Sequence, residues 1–206
     1  MKKGKIQKDI EAIYRRYKNK RRVVLAISII ILGLLYTFKN TSFLIRSLSA
    51  IGLMIFFYTF DHFFDVDFKE RHYFFIILIA ISSFLFSPLY YLYANYDKIQ
   101  HLILPIMFAS IASHMVSKLK LKRKWKLTFV FFIVIGIIGL HEIGEYLLDV
   151  FFDLKLQGVF LRDLQGLQKY DILLDRIDDT MIDMALGTLG AGLYTIYCLV
   201  FKKKIN

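Results

Sequence analysis

HEIGEYLLD, residues 141–149, ends an apolar run that begins at Leu127. On a helix, Glu142, Glu145 and Asp149 lie at i, i+3 and i+7 and therefore share one face. Carboxylates on an apolar helix of membrane length are costly, so they usually face the interior of a helix bundle or a wet cavity. The stretch therefore predicts a membrane span and also the first candidate for a functional site.

The composition argues against an ordinary soluble domain. The chain has 206 residues, is 57% hydrophobic and has a mean hydropathy of +0.50, which is typical of a membrane protein. Its net charge of +11 comes from basic blocks between apolar segments. That distribution is typical of membrane topology and argues against a nucleic-acid partner.

The apolar segments predict an all-α, polytopic membrane protein with six transmembrane helices. Residues 1–22 carry ten Lys and Arg and form a basic cytoplasmic segment. This segment is either an amphipathic helix on the anionic cytoplasmic leaflet or a frayed tail that only fixes topology. Residues 23–206 form the transmembrane domain, and its predicted spans are Val23–Phe38, Phe43–Phe60, Tyr73–Tyr93, Ile99–Ser117, Leu127–Phe152 and Asp179–Phe201.

The basic residues also predict the orientation in a plasma or inner membrane. Basic blocks lie at the N-terminus, in residues 118–126 and in residues 202–204, and six spans put all three on one side. The loops after spans one and three hold one lysine each, Lys39 and Lys98. By the positive-inside rule both termini are cytoplasmic, and residues 141–149 lie near the outer surface.

Three of the predicted spans have acids or imidazoles near the outer surface. These residues lie in the first turns of span four, at the end of span five and at the start of span six. Facing helices of a bundle can build a metal centre from such groups. Carboxylates with imidazole suit Zn, Mn, Fe or Mg. The predicted metal ligands are His101, Glu145, Asp183, Asp97 and Asp149, and the predicted general bases are Glu142 and Asp179.

These residues leave three functions open. The first is a metal-dependent hydrolase or transferase acting on a lipid or envelope intermediate. The second is a proton-coupled transporter, since crowded carboxylates cannot all ionise and can relay protons. The third is a structural or assembly protein whose polar cluster holds the helices together. The sequence leaves the oligomeric state open.

Several of these features have simpler explanations. Asp97 and Asp179 are natural N-caps for spans four and six. The segment 61–72 has ligand-like composition, but its place between spans predicts a solvated loop. Ser87-Pro88 predicts a kink in span three. The glycines of spans five and six predict close packing of these two helices, and they are Gly136, Gly139, Gly144, Gly187, Gly190 and Gly192.

The 26-residue connection Asp153–Asp178 predicts a lid, since ordered loops of this length are often functional. Two apolar triplets in it, residues 159–161 and 172–174, predict contact with the membrane surface.

Three segments of the chain resemble the YjdF-like family of bacterial inner-membrane proteins, a domain of unknown function distantly similar to VanZ-like proteins. The likeness covers about residues 90–195. The chain departs from the family pattern at Leu102, where an aromatic is usual, and at residues 176–178, where a Gly-Asp pair is usual, so it would be a divergent member. The resemblance implies a multi-pass membrane protein and no activity. The matching segments are Tyr96–His101 with Pro105, Glu142–Tyr146, and Asp179–Met184 with Gly190-Ala191.

Overall fold

A computed structural model describes residues 2–38, 41–152, 156–162 and 170–201. The chain divides into two compact units, Met1–Leu85 and Phe86–Asn206. In the described ranges the α-helices are α1 Lys2–Phe38, α2 Thr41–Phe63, α3 Glu70–Ala80, α4 Tyr96–Ser117, α5 Arg123–Phe152 and α6 Arg176–Val200, and the strands are β1 Val159–Arg162 and β2 Tyr170–Leu174.

Four helices in the described part of the chain are long and apolar enough to cross a membrane. They correspond to the predicted spans two, four, five and six, and large apolar side chains such as Leu140 and Phe151 lie exposed on them. The fold is therefore that of a helical membrane protein. The four segments are Phe43–Phe63, Tyr96–Ser117, Arg123–Phe152 and Arg176–Val200.

The first and third predicted spans do not form separate, uninterrupted helices. Residues 23–38 are the second half of α1, which runs without a break from the basic segment. The third predicted span is divided, because α3 ends at Ala80, a π-helical turn covers Ile81–Leu85 and a 3-10 helix covers Ser87–Tyr91. Pro88 lies at the start of that 3-10 helix, where its missing N–H costs nothing. Helix α3 has already ended at Ala80, so the interruption begins before the kink that Ser87-Pro88 predicts.

A buried carboxylate joins the three helices of the first unit. The side chain of Asp61 on α2 is fully buried, and its Oδ2 lies 2.9 Å from Lys20 Nζ on α1. The hydroxyl of Tyr73 on α3 donates to the same oxygen at 2.7 Å, and the backbone N–H of Phe68 donates to Oδ1 at 3.0 Å. The prediction of a solvated loop is therefore wrong for Asp61, which begins that segment.

The connection after α2 is also tied to α1. Asp65 and Asp67 adopt the left-handed conformation, with φ of 46° and 56°. The hydroxyl of Tyr17 donates to Asp65 Oδ1 at 3.1 Å, and Lys20 Nζ lies 3.3 Å from Asp67 Oδ1. Burial and the nearby carboxylates raise the pKa of Tyr17, so this hydroxyl remains a donor.

Helices α4, α5 and α6 pack against one another and form the core of the second unit. A Cβ at Gly190 would overlap the carbonyl oxygen of Leu102, and a Cβ at Gly187 would lie 2.6 Å from Ile138 Cδ1. Close packing of α5 and α6 is therefore confirmed at Gly187, whereas Gly190 packs closely on α4. The same prediction is wrong for Gly136, Gly139, Gly144 and Gly192, where a Cβ meets no described atom within 4 Å.

Basic residues at the start of α5 cap two neighbouring helices. Lys126 Nζ donates to the carbonyl of Ser117, the last residue of α4, at 2.5 Å. The guanidinium of Arg123 donates to the carbonyls of Cys198 and Leu199 near the end of α6. Cations stabilise the C-terminal ends of helices, so these contacts hold the ends of α4 and α6 against α5.

The connection between α5 and α6 contains an antiparallel pair, in which Val159 faces Leu174. Val159 is buried, whereas Ile172 and Leu173 are exposed. Residues 153–155 and 163–169 of the predicted lid lie outside the described residues.

The two predicted N-caps are wrong. Helix α6 begins at Arg176, and Asp175 is its N-cap, because Asp175 Oδ1 accepts from the backbone N–H groups of Ile177 and Asp178. Helix α4 begins at Tyr96, so Asp97 lies within its first turn. Asp97 and Asp179 are therefore free of the capping role and point to other partners.

Candidate functional site

Charged and imidazole side chains of α4, α5 and α6 converge at one end of this helix bundle. Their common feature is that each lies within ion-pair distance of another member of the set. This cluster is called the polar layer, and its members are Asp97, Lys98 and His101 of α4, His141, Glu142 and Glu145 of α5, and Asp179 and Asp183 of α6.

His101 lies between carboxylates of two helices. Its Nε2 is 3.4 Å from Asp97 Oδ1, one turn earlier on α4, and its Nδ1 is 3.7 Å from Glu142 Oε1 on α5. The ring of His141 meets the His101 ring edge to face at 5.6 Å between centroids. An imidazole in this position can bind a metal or pass a proton between two acids.

Glu142 is the least satisfied member of the polar layer. It is 4% exposed, and its Oε1 accepts no hydrogen bond from the described residues. The nearest cationic or imidazole nitrogens are His101 Nδ1 at 3.7 Å and His141 Nδ1 at 3.9 Å. A buried carboxylate without a hydrogen bond is costly, so this oxygen points to a ligand.

Lys98 is the member that sequence reasoning missed, because it was assigned to a loop. It lies in the first turns of α4, and its Nζ donates to Asp97 Oδ2 at 3.1 Å and to both oxygens of Asp183 at 2.8 Å. It also donates to Asp179. One ammonium therefore offsets three carboxylates. The signal in the sequence was a lysine beside Asp97 at the level of the other acids.

Two of the predicted site residues hold the backbone after α5. Asp149 Oδ1 accepts from the N–H of Leu156 at 2.7 Å, and its Oδ2 accepts from the N–H of Gln157 at 3.0 Å. Asp179 Oδ2 accepts from the N–H of Gly158 at 2.7 Å. These carboxylates fix the chain as it leaves α5 and enters β1, and Asp179 does so while it also binds Lys98.

The polar layer contains two groups of three possible metal ligands. Their ligand atoms lie within 4.8 Å of one another in each group, which is close enough for modest side-chain movements to bring them around one ion. Three of the five predicted ligands meet in one group, and Glu142, which the sequence predicts as a general base, lies in the other. Glu145 lies beside these groups, with Oε1 3.8 Å from His141 Nδ1. The groups are Asp97, His101 and Asp183, and His101, His141 and Glu142.

The helices and the polar layer define a helical membrane protein with a charged site built inside its bundle. The chain belongs to the family described as predicted membrane protein DUF2238, whose family model matches residues 20–204. No curated protein and no solved structure matches the chain. Membership confirms an uncharacterised membrane protein family, and the more specific YjdF-like and VanZ-like resemblance stays a prediction.

Proposed function

We propose that this chain is a six-span protein of the plasma or inner membrane, with both termini in the cytoplasm. The basic residues Arg123 and Lys126 cap α6 and α4 at the end of the bundle opposite to the polar layer. Basic residues favour the cytoplasmic side, so the polar layer faces the outer leaflet. In this orientation residues 1–22 bind the anionic cytoplasmic leaflet.

Within this topology, the function that the geometry supports best is a metal-dependent hydrolase or transferase. The observation that carries it is His101, held between Asp97 and Glu142 with an unsatisfied buried oxygen on the latter. Carboxylate and imidazole ligands from facing helices are the ligand set of metal centres in helical bundles. A bound Zn, Mn, Fe or Mg ion supplies a Lewis acid that polarises a phosphoryl or carbonyl oxygen.

The surroundings of the polar layer favour a lipid or a lipid-linked envelope intermediate as substrate. Leu140 and Ile143 flank the site on α5 and are 70% and 55% exposed, and Met181 on α6 is 63% exposed. In a bilayer these side chains contact acyl chains, so a lipid can approach the polar layer from the side. Glu145, beside His141, is placed to transfer a proton to or from such a substrate.

Metal content tests this function. Detergent-purified wild type is expected to hold about one equivalent of a divalent metal, and His101→Ala is expected to lose it, since His101 belongs to both ligand groups. His62→Ala is the matched control, because His62 is exposed and stacks on Tyr58 in the first unit. Wild type that stays free of metal after incubation with Zn, Mn, Fe and Mg would overturn the proposal.

The Lys98 ammonium supports a second candidate, a purely structural role of the polar layer. Its contacts with three acids tie α4 to α6 without any metal. If this is the whole function, Lys98→Met lowers thermal stability and no polar-layer variant loses a cellular phenotype while it keeps wild-type stability. The proton-coupled transporter stays a prediction, which substrate uptake into proteoliposomes and its dependence on Glu145 would test.

A further inference from the structure

We infer that the metal is held by His101, His141 and Glu142. The acids that contact Lys98 form ion pairs with its ammonium and do not bind the metal. The inference rests on the proposed function, because it assigns the ligands of the same metal centre. It differs from the ligand set that the sequence predicts, in which His141 is absent and Asp183 is present.

The separations within this group fit a shared ion better than hydrogen bonds. Glu142 Oε1 lies 3.7 Å from His101 Nδ1 and 3.9 Å from His141 Nδ1, which is too long for a hydrogen bond. Two ligand atoms that are each about 2.1 Å from a tetrahedral ion lie about 3.4 Å apart. Small movements of the side chains therefore close this group around one ion.

The other group, Asp97, His101 and Asp183, is already in contact with a cation, Lys98. Lys98 Nζ donates to both oxygens of Asp183 at 2.8 Å and to Asp97 at 3.1 Å. A divalent ion on the same carboxylates would lie within a few ångströms of this ammonium, and the repulsion between them is large at partly buried positions. Lys98 and a metal therefore compete for Asp183, whereas Glu142 Oε1 accepts no hydrogen bond from the described residues.

The chemistry of the assigned ligands narrows the choice of ion. Two imidazoles and one carboxylate form the ligand set of catalytic zinc sites and of non-haem Fe(II) sites, whereas Mg prefers oxygen ligands. The side chain of His141 is 55% exposed, while that of Glu142 is 5% exposed. The group is thus closed on the Glu142 side and open on the His141 side, where an ion keeps a position for water or substrate.

Cobalt binding to the full chain in detergent tests the ligand assignment, because Co²⁺ reports its coordination through visible absorption. His141→Gln and Glu142→Gln are expected to weaken Co²⁺ affinity more than tenfold, since even outer-shell losses cost about 10–100-fold. Asp183→Asn and His62→Ala are expected to stay within about threefold of wild type, because neither residue touches the ion. Thermal melting of each variant checks that it is folded.

A second measurement needs no variant. Diethylpyrocarbonate modifies exposed imidazoles, and both His141 and His62 are exposed. Zn²⁺ is expected to protect His141 and not His62, as followed by peptide mass spectrometry on the wild-type protein. Equal modification of His141 with and without bound Zn²⁺ would overturn the assignment.

The two proposals fail in different ways. Metal binding that survives His141→Gln and is lost in Asp183→Asn overturns the ligand assignment and leaves a metal-dependent function standing. Wild type that takes up neither Co²⁺ nor Zn²⁺ overturns the proposed function, and the ligand assignment with it.

Discussion

Asp61 and Glu142 are both buried carboxylates, but they differ in the hydrogen bonds that they accept. Asp61 accepts from Tyr73 and Phe68 and pairs with Lys20, whereas Glu142 Oε1 accepts no hydrogen bond from the described residues. Loss of a buried charge that is hydrogen-bonded to a counter-ion leaves its partner uncompensated, whereas loss of a buried charge without a hydrogen bond at Oε1 removes a desolvation cost. The same substitution should therefore change stability in opposite directions at these two positions.

Asp61→Asn is expected to lower the free energy of unfolding by about 3 kcal/mol, because it removes the nearer and fully buried counter-ion of Lys20 and leaves only Asp67 at 3.3 Å. Thermal or denaturant unfolding of detergent-purified protein measures the change. Glu11→Gln removes the same charge from an exposed position on α1 and should change stability by less than about 0.5 kcal/mol. Equal effects of the two substitutions would contradict a buried ion pair at Asp61.

Glu142→Gln is expected to melt at or above the wild-type temperature when a chelator is present, because the neutral amide avoids the cost of a buried carboxylate whose Oε1 accepts no hydrogen bond. With Zn²⁺ added, wild type should gain stability by mass action and the variant should gain less. Melting curves with EDTA and with Zn²⁺ give both results. A large drop with the chelator would indicate that Glu142 holds the helices together by itself.

The acids and imidazoles of the polar layer were predictable from spacing, but their partners were not. Helical spacing placed Asp97, His101 and Asp183 at one level because period and depth follow from the sequence. The role of Lys98 depends on Asp179 and Asp183, which are 81 and 85 residues away in the chain. Only the packing of α6 on α4 brings these groups together, and a single sequence does not specify it.

The glycines of α6 show how closely two helices approach. Gly190 faces the backbone of α4 at Leu102, which cannot yield, whereas Gly187 faces the end of the Ile138 side chain, which can rotate. Gly190→Ala is expected to cost about 1–3 kcal/mol by overpacking. Gly187→Ala should cost less, and Gly192→Ala should be neutral or stabilising because its Cβ meets open space.

Unfolding of the three glycine variants in detergent measures this order. Gly192→Ala is the control for the helix propensity that all three substitutions share. A Gly190→Ala variant as stable as Gly192→Ala would show that α4 and α6 are not in contact at Leu102.

The variant Asp149→Asn tests whether Asp149 is a metal ligand or holds only the backbone after α5. The carboxylate accepts from the N–H groups of Leu156 and Gln157, and an amide can accept on one side only. Hydrogen exchange at Leu156 and Gln157 is therefore expected to rise, while the metal content stays at the wild-type level. Loss of metal in this variant would return Asp149 to the ligand set that the sequence predicts.

Apolar runs predicted helices well and predicted their interruptions poorly. The spans at α2, α4, α5 and α6 follow from length and hydropathy, which are local properties. Pro88 predicted a kink, but the π-helical turn at Ile81–Leu85 has no proline or glycine to mark it. The pairing of β1 with β2 depends on register between two short strands rather than on either alone.

The distribution of charge along the chain carries the last prediction, the orientation in the membrane. The basic connection between α4 and α5 includes the exposed Lys120, and the acidic start of α6 includes the exposed Asp178. Translocating a block of lysines is unfavourable, so the first should be cytoplasmic and the second external. Six spans also require the N-terminal segment, for example at Glu11, to be cytoplasmic.

Cysteine labelling in intact cells measures this orientation. Cys198→Ser removes the single native cysteine, and single cysteines are then placed by Lys120→Cys, Asp178→Cys and Glu11→Cys. A membrane-impermeant maleimide is expected to label Asp178→Cys in intact cells and the other two only after permeabilisation. Labelling of Glu11→Cys from outside, with Lys120→Cys still protected, would require an odd number of crossings before α5. The second half of α1 and the divided third span would then be the segments to reassign, because neither forms a separate, uninterrupted apolar helix.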